Sequence, residues 1–219
     1  MSDPVLYGYW RSSAAYRVRI AVNVKGVAAQ YEYVRLREGE QRRKPFLALN
    51  PAGLVPAWRD ADGFVLGQSL AIIEYIDDVF PEPPLLPSDP RLKAICREIA
   101  YGIACDIHPL GNLRVLERLS ADFGASAEAR AAWCRQWIGR GFAAIEPRLV
   151  HFAGRHSIGD QISLADICLV PQVYNARRFG LDLTPFPRIV AADASAREQP
   201  AFAAAAPETQ PDAPSASPP

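Results

Sequence analysis

Cysteine and histidine are scarce in this chain, with four and three copies in 219 residues. Cys96, Cys105, Cys134 and Cys168 are widely spaced and form no C-x-x-C pair. His108, His151 and His156 make no metal-ligand spacing with them. These absences argue against a disulfide scaffold and a zinc site, and ordinary buried thiols in a reducing compartment are expected. Net charge is also missing, because 24 Lys plus Arg balance 24 Asp plus Glu. A neutral chain gives nucleic acid or an anionic membrane little to hold, so neither is expected as a partner. No apolar run approaches the ~20 residues that span a bilayer. The opening "MSDPVLYGYW" has neither a basic n-region nor an apolar h-region, so no signal peptide is visible and the cytoplasm is the expected location.

What is present fits a globular protein: 49% hydrophobic and 22% charged residues, in a chain long enough for one large domain or two small ones. Its character changes near residue 81. Before that point short strand-like and helical runs alternate. "VLYGYW" reads as a strand ending at Trp10. "AAYRVRIAVNVKG" reads as a helix with Ala14, Val18, Ala21 and Val22 on one stripe and Gly26 as its stop. "AQYEYVRL" is a second strand, Arg43–Leu49 a short helix, and "LVPAW" and "GFVLG" two strands around the "DADG" turn. "SLAIIEYIDDVF" closes the region as a helix. The order βαβαββα is an α/β pattern with a mixed sheet.

The stretch from Phe80 to Pro90 holds five prolines in eleven residues, which prevents helix or central strand and predicts a linker over 81–90. Beyond it only helical patterns follow. Leu92, Ile95, Cys96, Ile99 and Ile103 share a face. Trp133, Trp137, Gly141, Ile145 and Leu149 recur four apart. Ser163 and Asp166 open a further helix as an S-x-x-D capping box. An all-helical domain over 91–206 is expected, then a proline- and serine-rich tail over 207–219 that should be disordered.

Three stretches of the first domain carry chemistry. In "YWRSSAAYRV" two hydroxyls and a guanidinium sit where a strand turns into a helix. A helix N-terminus carries unpaired N–H groups and partial positive charge, so Ser12 and Ser13 suit holding an anion brought by a ligand. With no base nearby in sequence they are poor nucleophiles. Either serves equally as a plain N-cap. In "NPAGLVPAW", Val55-Pro56 precedes a strand. A trans edge proline accounts for it, and a cis bond would turn the Val55 backbone outward toward a peptide-like ligand. In "GQSLAIIEY", Gln68 and Ser69 stand before a helix, where the same groups would bind a carboxylate.

The combination resembles that of a glutathione-binding, thioredoxin-like domain. Together with "LLPSDP", "DIHPLGNLRVL", "SLADICLVPQVYNARRF" and "DLTPFP", these stretches resemble the zeta class of glutathione transferases, which includes maleylacetoacetate and maleylpyruvate isomerases. The resemblance runs from Leu6 to about Pro211. It implies the glutathione transferase fold: a thioredoxin-like domain over 1–80 with a four-stranded mixed sheet, joined to an all-α substrate domain. It also implies a cytosolic homodimer that uses glutathione to isomerise a dicarboxylic keto acid. By the same resemblance Ser12 stabilises the thiolate, with Ser13 and Arg11 beside it. Gln41, Val55, Pro56, Gln68 and Ser69 hold glutathione, and Arg11, His108, Arg114 and Arg178 bind the substrate. His108 and Arg114 also resemble the maleylpyruvate branch.

The family motif usually reads S-S-C, and here Ala14 replaces the cysteine that relatives use in reductive dehalogenation. Isomerisation survives that loss because glutathione brings the sulfur. Thiolate addition makes the cis C=C bond single, rotation follows, and expulsion leaves the trans isomer. Maleylacetoacetate is the expected substrate and maleylpyruvate the alternative. A general glutathione transferase or peroxidase, or a non-catalytic binding module, are rivals from other classes. The retained Ser12, Gln68 and Ser69 disfavour the module. Of the two arginines in "NARRF", about 100° apart on a helix, Arg178 is expected to face the pocket and Arg177 solvent.

Overall fold

The computed structural model describes residues 3–214. The chain divides into two compact units. One holds residues up to Pro83 together with those from Gln199 onward, and the other holds Pro84–Glu198.

In the first unit β1 (Val5–Gly8), α1 (Ser13–Val24), β2 (Gln30–Tyr33), α2 (Lys44–Leu49), β3 (Ala57–Arg59), β4 (Val65–Gly67) and α3 (Ser69–Val79) follow in chain order. The sheet is ordered β2-β1-β3-β4, with β1 and β2 parallel and the other pairs antiparallel. This is the expected mixed four-stranded sheet. β1 stops at Gly8 instead of Trp10, because residues 9–12 form a turn closed by the Ser12 N–H donating to the Tyr9 carbonyl at 3.0 Å. That turn presents Arg11 and Ser12 at the start of α1. Val34, Phe46 and Ala57 form a small core beside Val55 and fix α2 to the sheet.

α1 is not the one-striped helix that its periodicity predicts. Every residue from Ser13 to Val22 is buried, Arg17 and Arg19 included. Part of the reason lies at the other end of the chain. α9 (Pro200–Ala205) packs along α1, and the Asn23 side chain donates to the Ala201 carbonyl at 2.9 Å. Residues 199–206 therefore belong with the first unit, where the sequence places them in the helical domain. The expected disorder of the tail also gives way. A 3₁₀ turn at Pro207–Thr209 follows α9, and the Gln210 side chain donates to the carbonyls of Ala204 and Ala206. Residues 215–219 of that expected tail lie outside the described residues. At the far end of α1 the buried Lys25 ammonium pairs with Asp77 and donates to the carbonyls of Phe80 and Pro83, tying down the chain as it leaves α3.

The second unit is helical. The proline-rich stretch is irregular up to Asp89, whose side chain caps α4 (Pro90–Tyr101) by accepting from the Arg91 and Leu92 N–H groups. The helix then loosens into a π-turn (Gly102–Ile107) and tightens into a 3₁₀ turn (His108–Gly111). α5 (Leu113–Phe123), α6 (Ala127–Phe152), α7 (Leu164–Arg178) and α8 (Pro187–Arg197) complete the unit. α7 is its axis, buried from Leu164 to Val173. It opens on the Ser163–Asp166 capping box, and Asp166 also accepts from the Ser157 N–H at 2.7 Å. On α6 the buried stripe is Cys134, Ile138, Phe142, Ile145 and Leu149, one residue round from the tryptophans that mark its periodicity. Gly141 faces the π-turn so closely that a Cβ there would meet the Ile107 side chain at 2.1 Å. Cys96, Cys134 and Cys168 are buried thiols, whereas Cys105, in the π-turn, is exposed.

Candidate functional site

Ser12 is the N-cap of α1. Its backbone is extended (φ −69°, ψ 117°), and its Oγ accepts from the Ala15 N–H at 3.2 Å. The cap uses the oxygen as acceptor and leaves the hydroxyl proton to donate outward. The cap and an anion-holding role are therefore compatible, since they use different parts of the hydroxyl. Ser13, next on the helix, is buried. Arg11, the residue before Ser12, is half-buried and stacks over the Trp10 ring at 5.1 Å.

The Val55–Pro56 peptide is cis, where a trans proline would satisfy the sequence equally. Among the described residues no hydrogen bond uses the Val55 N–H or C=O. Gln41 lies on the 3₁₀ turn Glu40–Arg42, 5% exposed, and its Oε1 has no partner among the described residues. A buried amide oxygen left unpaired costs stability unless something brings it a donor.

Gln68 has φ 68°, the only positive value at a non-glycine residue among those described. Such backbone is costly outside glycine and collects at ligand-binding positions. It turns the chain so that Ser69 begins α3. Beneath Ser69 lies a residue that sequence reasoning missed. The Arg17 guanidinium, 1% exposed, donates to Ser69 Oγ at 3.3 Å. A fixed cation and the N-terminal end of a helix act on the same hydroxyl, and both favour a carboxylate there. The available signal was a basic residue inside an apolar helical run, which reads as a solvated charge until α3 is known to pack on that side.

In the second unit a cavity is lined by Ile107, His108, Cys134, Trp137, Gln172 and Phe179, among others. Gln172 is 1% exposed. Its Oε1 and the Trp137 Nε1 have no hydrogen-bond partner among the described residues. Sequence reading found His108 here and missed Gln172 and Trp137, which look like ordinary helix positions. Arg178 is exposed, but its guanidinium lies 4.3 Å from the centre of the Phe179 ring. Burial pushes the Cys134 thiol pKa up, and the charges of Arg178 and Arg135 pull it down, but Arg178 is not among the residues that line the cavity. Arg114 is exposed on the first turn of α5 and does not line the cavity.

Arg177 is exposed, and it also pairs at 2.7 Å with Asp193 of α8, whose side chain is fully buried. Burial raises the Asp193 pKa, and the Arg177 guanidinium lowers it.

Residues 11–79 match the family model of the glutathione S-transferase N-terminal domain. A probable maleylacetoacetate isomerase of Vibrio cholerae is 49% identical over 215 residues, covering 97% of this chain and 100% of the relative. The chain belongs to the zeta-class glutathione transferase family. Two solved structures support the same placement. The holo structure of a bacterial maleyl pyruvate isomerase of the zeta class superposes with a TM-score of 0.93 at 48% identity, over 96% of this chain and 100% of the other. A maleylacetoacetate isomerase from Methylobacterium extorquens AM1, with malonate and GSH bound, also gives a TM-score of 0.93, at 40% identity over 96% and 100% of the two chains. In a zeta-class chain the first unit supplies the thioredoxin-like half. The residues gathered there suit a tripeptide: an unused backbone N–H and C=O at Val55, an orphaned amide oxygen at Gln41, and a cation-backed helix start at Ser69.

Proposed function

We propose that this chain is a glutathione-dependent cis–trans isomerase of a maleyl keto acid, converting maleylacetoacetate to fumarylacetoacetate in the breakdown of aromatic compounds. The observation that carries this reading is the arrangement around Ser12. A capped helix start keeps a free hydroxyl proton one residue after a stacked arginine, in a unit whose other unpaired polar groups match a peptide ligand. Glutathione, when bound, supplies a thiolate for reversible addition to the cis double bond.

The chain's own residues do the rest. Ser12 donates to the sulfur and, with the α1 N-terminus, lowers its pKa toward neutrality. Ser13 completes the start of that helix. Val55 pairs with the cysteinyl backbone through its own N–H and C=O, and Pro56 fixes where β3 begins. Gln41 accepts from a ligand N–H. Gln68 and Ser69, with Arg17 behind them, hold the γ-glutamyl carboxylate. Arg11, His108 and Arg178 orient the carboxylates of the keto acid and stabilise negative charge that develops on its carbonyl. Arg114 is the weakest member of this set, since it stands away from the cavity. The malonate bound in the Methylobacterium relative, itself a small dicarboxylate, supports a cationic acid site. The protein works as a cytoplasmic homodimer.

A second reading, maleylpyruvate isomerisation in gentisate-type degradation, is favoured by the place of His108 in the cavity wall and by the 48% identity to a maleyl pyruvate isomerase. Turnover of the two acids, each with and without glutathione, tests both. The main reading expects glutathione-dependent turnover with the larger kcat/KM on maleylacetoacetate. A preference for maleylpyruvate selects the second, and turnover of neither acid rejects both.

A further inference from the structure

Two partly buried links join the chain's C-terminal segment to the turn that carries Ser12. The Trp10 N–H donates to an Asp212 carboxylate oxygen at 2.9 Å, across 202 residues of sequence. The Trp10 C=O, on the other side of the same residue, accepts from Arg19 Nη2 at 2.9 Å. Arg19 also donates from Nη1 to the Tyr9 carbonyl at 3.4 Å and from Nε to the Ala205 carbonyl at 3.0 Å. One guanidinium, 3% exposed, thus holds the turn and the end of α9 together. Burial pushes the Arg19 pKa down to about 10, so the group stays charged at neutral pH.

The tail reaches Trp10 because its own path is fixed. The Gln210 side chain donates to the carbonyls of Ala204 and Ala206 and to Thr209 Oγ1. Thr209 Oγ1 in turn donates to the carbonyls of Ala204 and Ala206. The Ala213 N–H returns to the Gln210 carbonyl at 2.9 Å. None of these groups touches the Ser12 hydroxyl. They act on the peptide units two residues before it, and on the residue whose ring carries the Arg11 guanidinium.

We propose that Asp212 is a positioning residue for the reaction. Through the Trp10 N–H, and with Arg19 clamping the Trp10 carbonyl, it fixes the turn that aims the Ser12 hydroxyl and Arg11 at the sulfur of glutathione. The proposal rests on the reading of Ser12 as the thiolate holder. Its energetic logic is that of a preorganised donor. A hydroxyl stabilises a thiolate only while its direction is held, and ligand-binding turns without a brace wander by more than catalysis tolerates. The tail binds a peptide unit of the turn between the strand and the helix start.

The test is a comparison of Asp212→Ala and Asp212→Asn with the wild type, reading three quantities. The pKa of bound glutathione is followed by thiolate ultraviolet absorbance, kcat and KM by isomerase assay, and stability by thermal unfolding. Asp212→Ala is expected to raise the thiol pKa and to lower kcat by about ten- to a hundredfold, the range of a small misplacement at a reacting group. KM for the keto acid should change little. Asp212→Asn keeps a side-chain oxygen for the Trp10 N–H and is expected to restore most of both losses. If Asp212→Ala melts earlier but keeps the wild-type thiol pKa and kcat, Asp212 is structural only and the proposal is overturned. If Asp212→Asn is as impaired as Asp212→Ala, the carboxylate acts through its charge and not through this hydrogen bond, which also overturns it. Should the wild type isomerise neither acid, the proposed function fails, while the thiol pKa of the three proteins still decides the role of Asp212.

Discussion

Ser12 has two tasks that a single substitution separates. As N-cap its oxygen accepts from the Ala15 N–H, and as a site residue its proton is free to donate. Ser12→Ala removes both, so stability should fall by roughly 1 kcal/mol from the lost cap, while kcat should fall about 10²-fold or more from the lost donor. Ser12→Thr keeps both groups and should stay near wild type in each respect. A thiol pKa unchanged in Ser12→Ala would move the role to the helix start itself. The neighbouring arginines of α7 divide in the same way. Arg178→Ala should raise KM for the keto acid, with a loss in kcat/KM of roughly 1.5–3 kcal/mol, the range for a charged hydrogen bond. Arg178→Lys should recover part of it, and glutathione affinity should hold. Arg177→Ala should leave KM alone and destabilise the fold, because it strands the buried Asp193 carboxylate. Its pH dependence is diagnostic. Burial raises the folded pKa of Asp193 above the unfolded value, so the native state binds the extra proton. Stability then falls as pH rises through the interval between those values, and the Arg177→Ala defect should shrink as pH is lowered toward the ordinary carboxylate range.

At the scale of elements, legibility followed the range of the forces involved. The Ser163–Asp166 cap was readable because an N-cap and its N3 partner lie three residues apart and need nothing else. Arg17 and Arg19 were misleading because distant elements bury them, α3 meeting Arg17 at Ser69 and α9 meeting Arg19 at Ala205. "PAFAAA" carries too little hydrophobic pattern to announce which surface it will cover. The α6 stripe was placed one residue off because tryptophans dominate the pattern by size while the smaller Cys134 and Ile138 lie deeper. Gly141 was placed on that stripe, but its purpose was visible only in three dimensions. Gly141→Ala drives a methyl group into Ile107, on the turn that leads to His108. Overpacking of this kind costs about 1–3 kcal/mol, more than the gain of roughly 1 kcal/mol from alanine's helix propensity. Net destabilisation is expected, with a rise in KM for the keto acid as the His108 turn shifts. Ile107→Ala in the same chain should relieve both, and a double-mutant cycle with no coupling between the positions would reject the contact as the cause.

At the scale of the whole molecule the first unit is discontinuous, assembled from both ends of the chain around α1. Residues 3–83 contain every group assigned to glutathione, yet they do not contain what buries one side of α1. Without residues 199–214, Arg19 loses the Ala205 carbonyl, Asn23 loses Ala201, and Trp10 loses Asp212. The cut also uncovers one side of α1, whose residues from Ser13 to Val22 are buried in the whole chain, and net stability of a domain is only of order 5–15 kcal/mol. The second unit, Pro84–Glu198, loses none of its own contacts by the same cut. Truncation after Glu198 should therefore abolish glutathione binding, measured calorimetrically, while most of the far-ultraviolet helical signal survives from α4 to α8. Adding back a peptide spanning 199–219 should restore part of the binding, since the strand order and the site residues are still encoded upstream. A truncated chain that binds glutathione with wild-type affinity would show that α1 is held by the sheet and α3 alone, and that the C-terminal segment contributes nothing to the unit it covers.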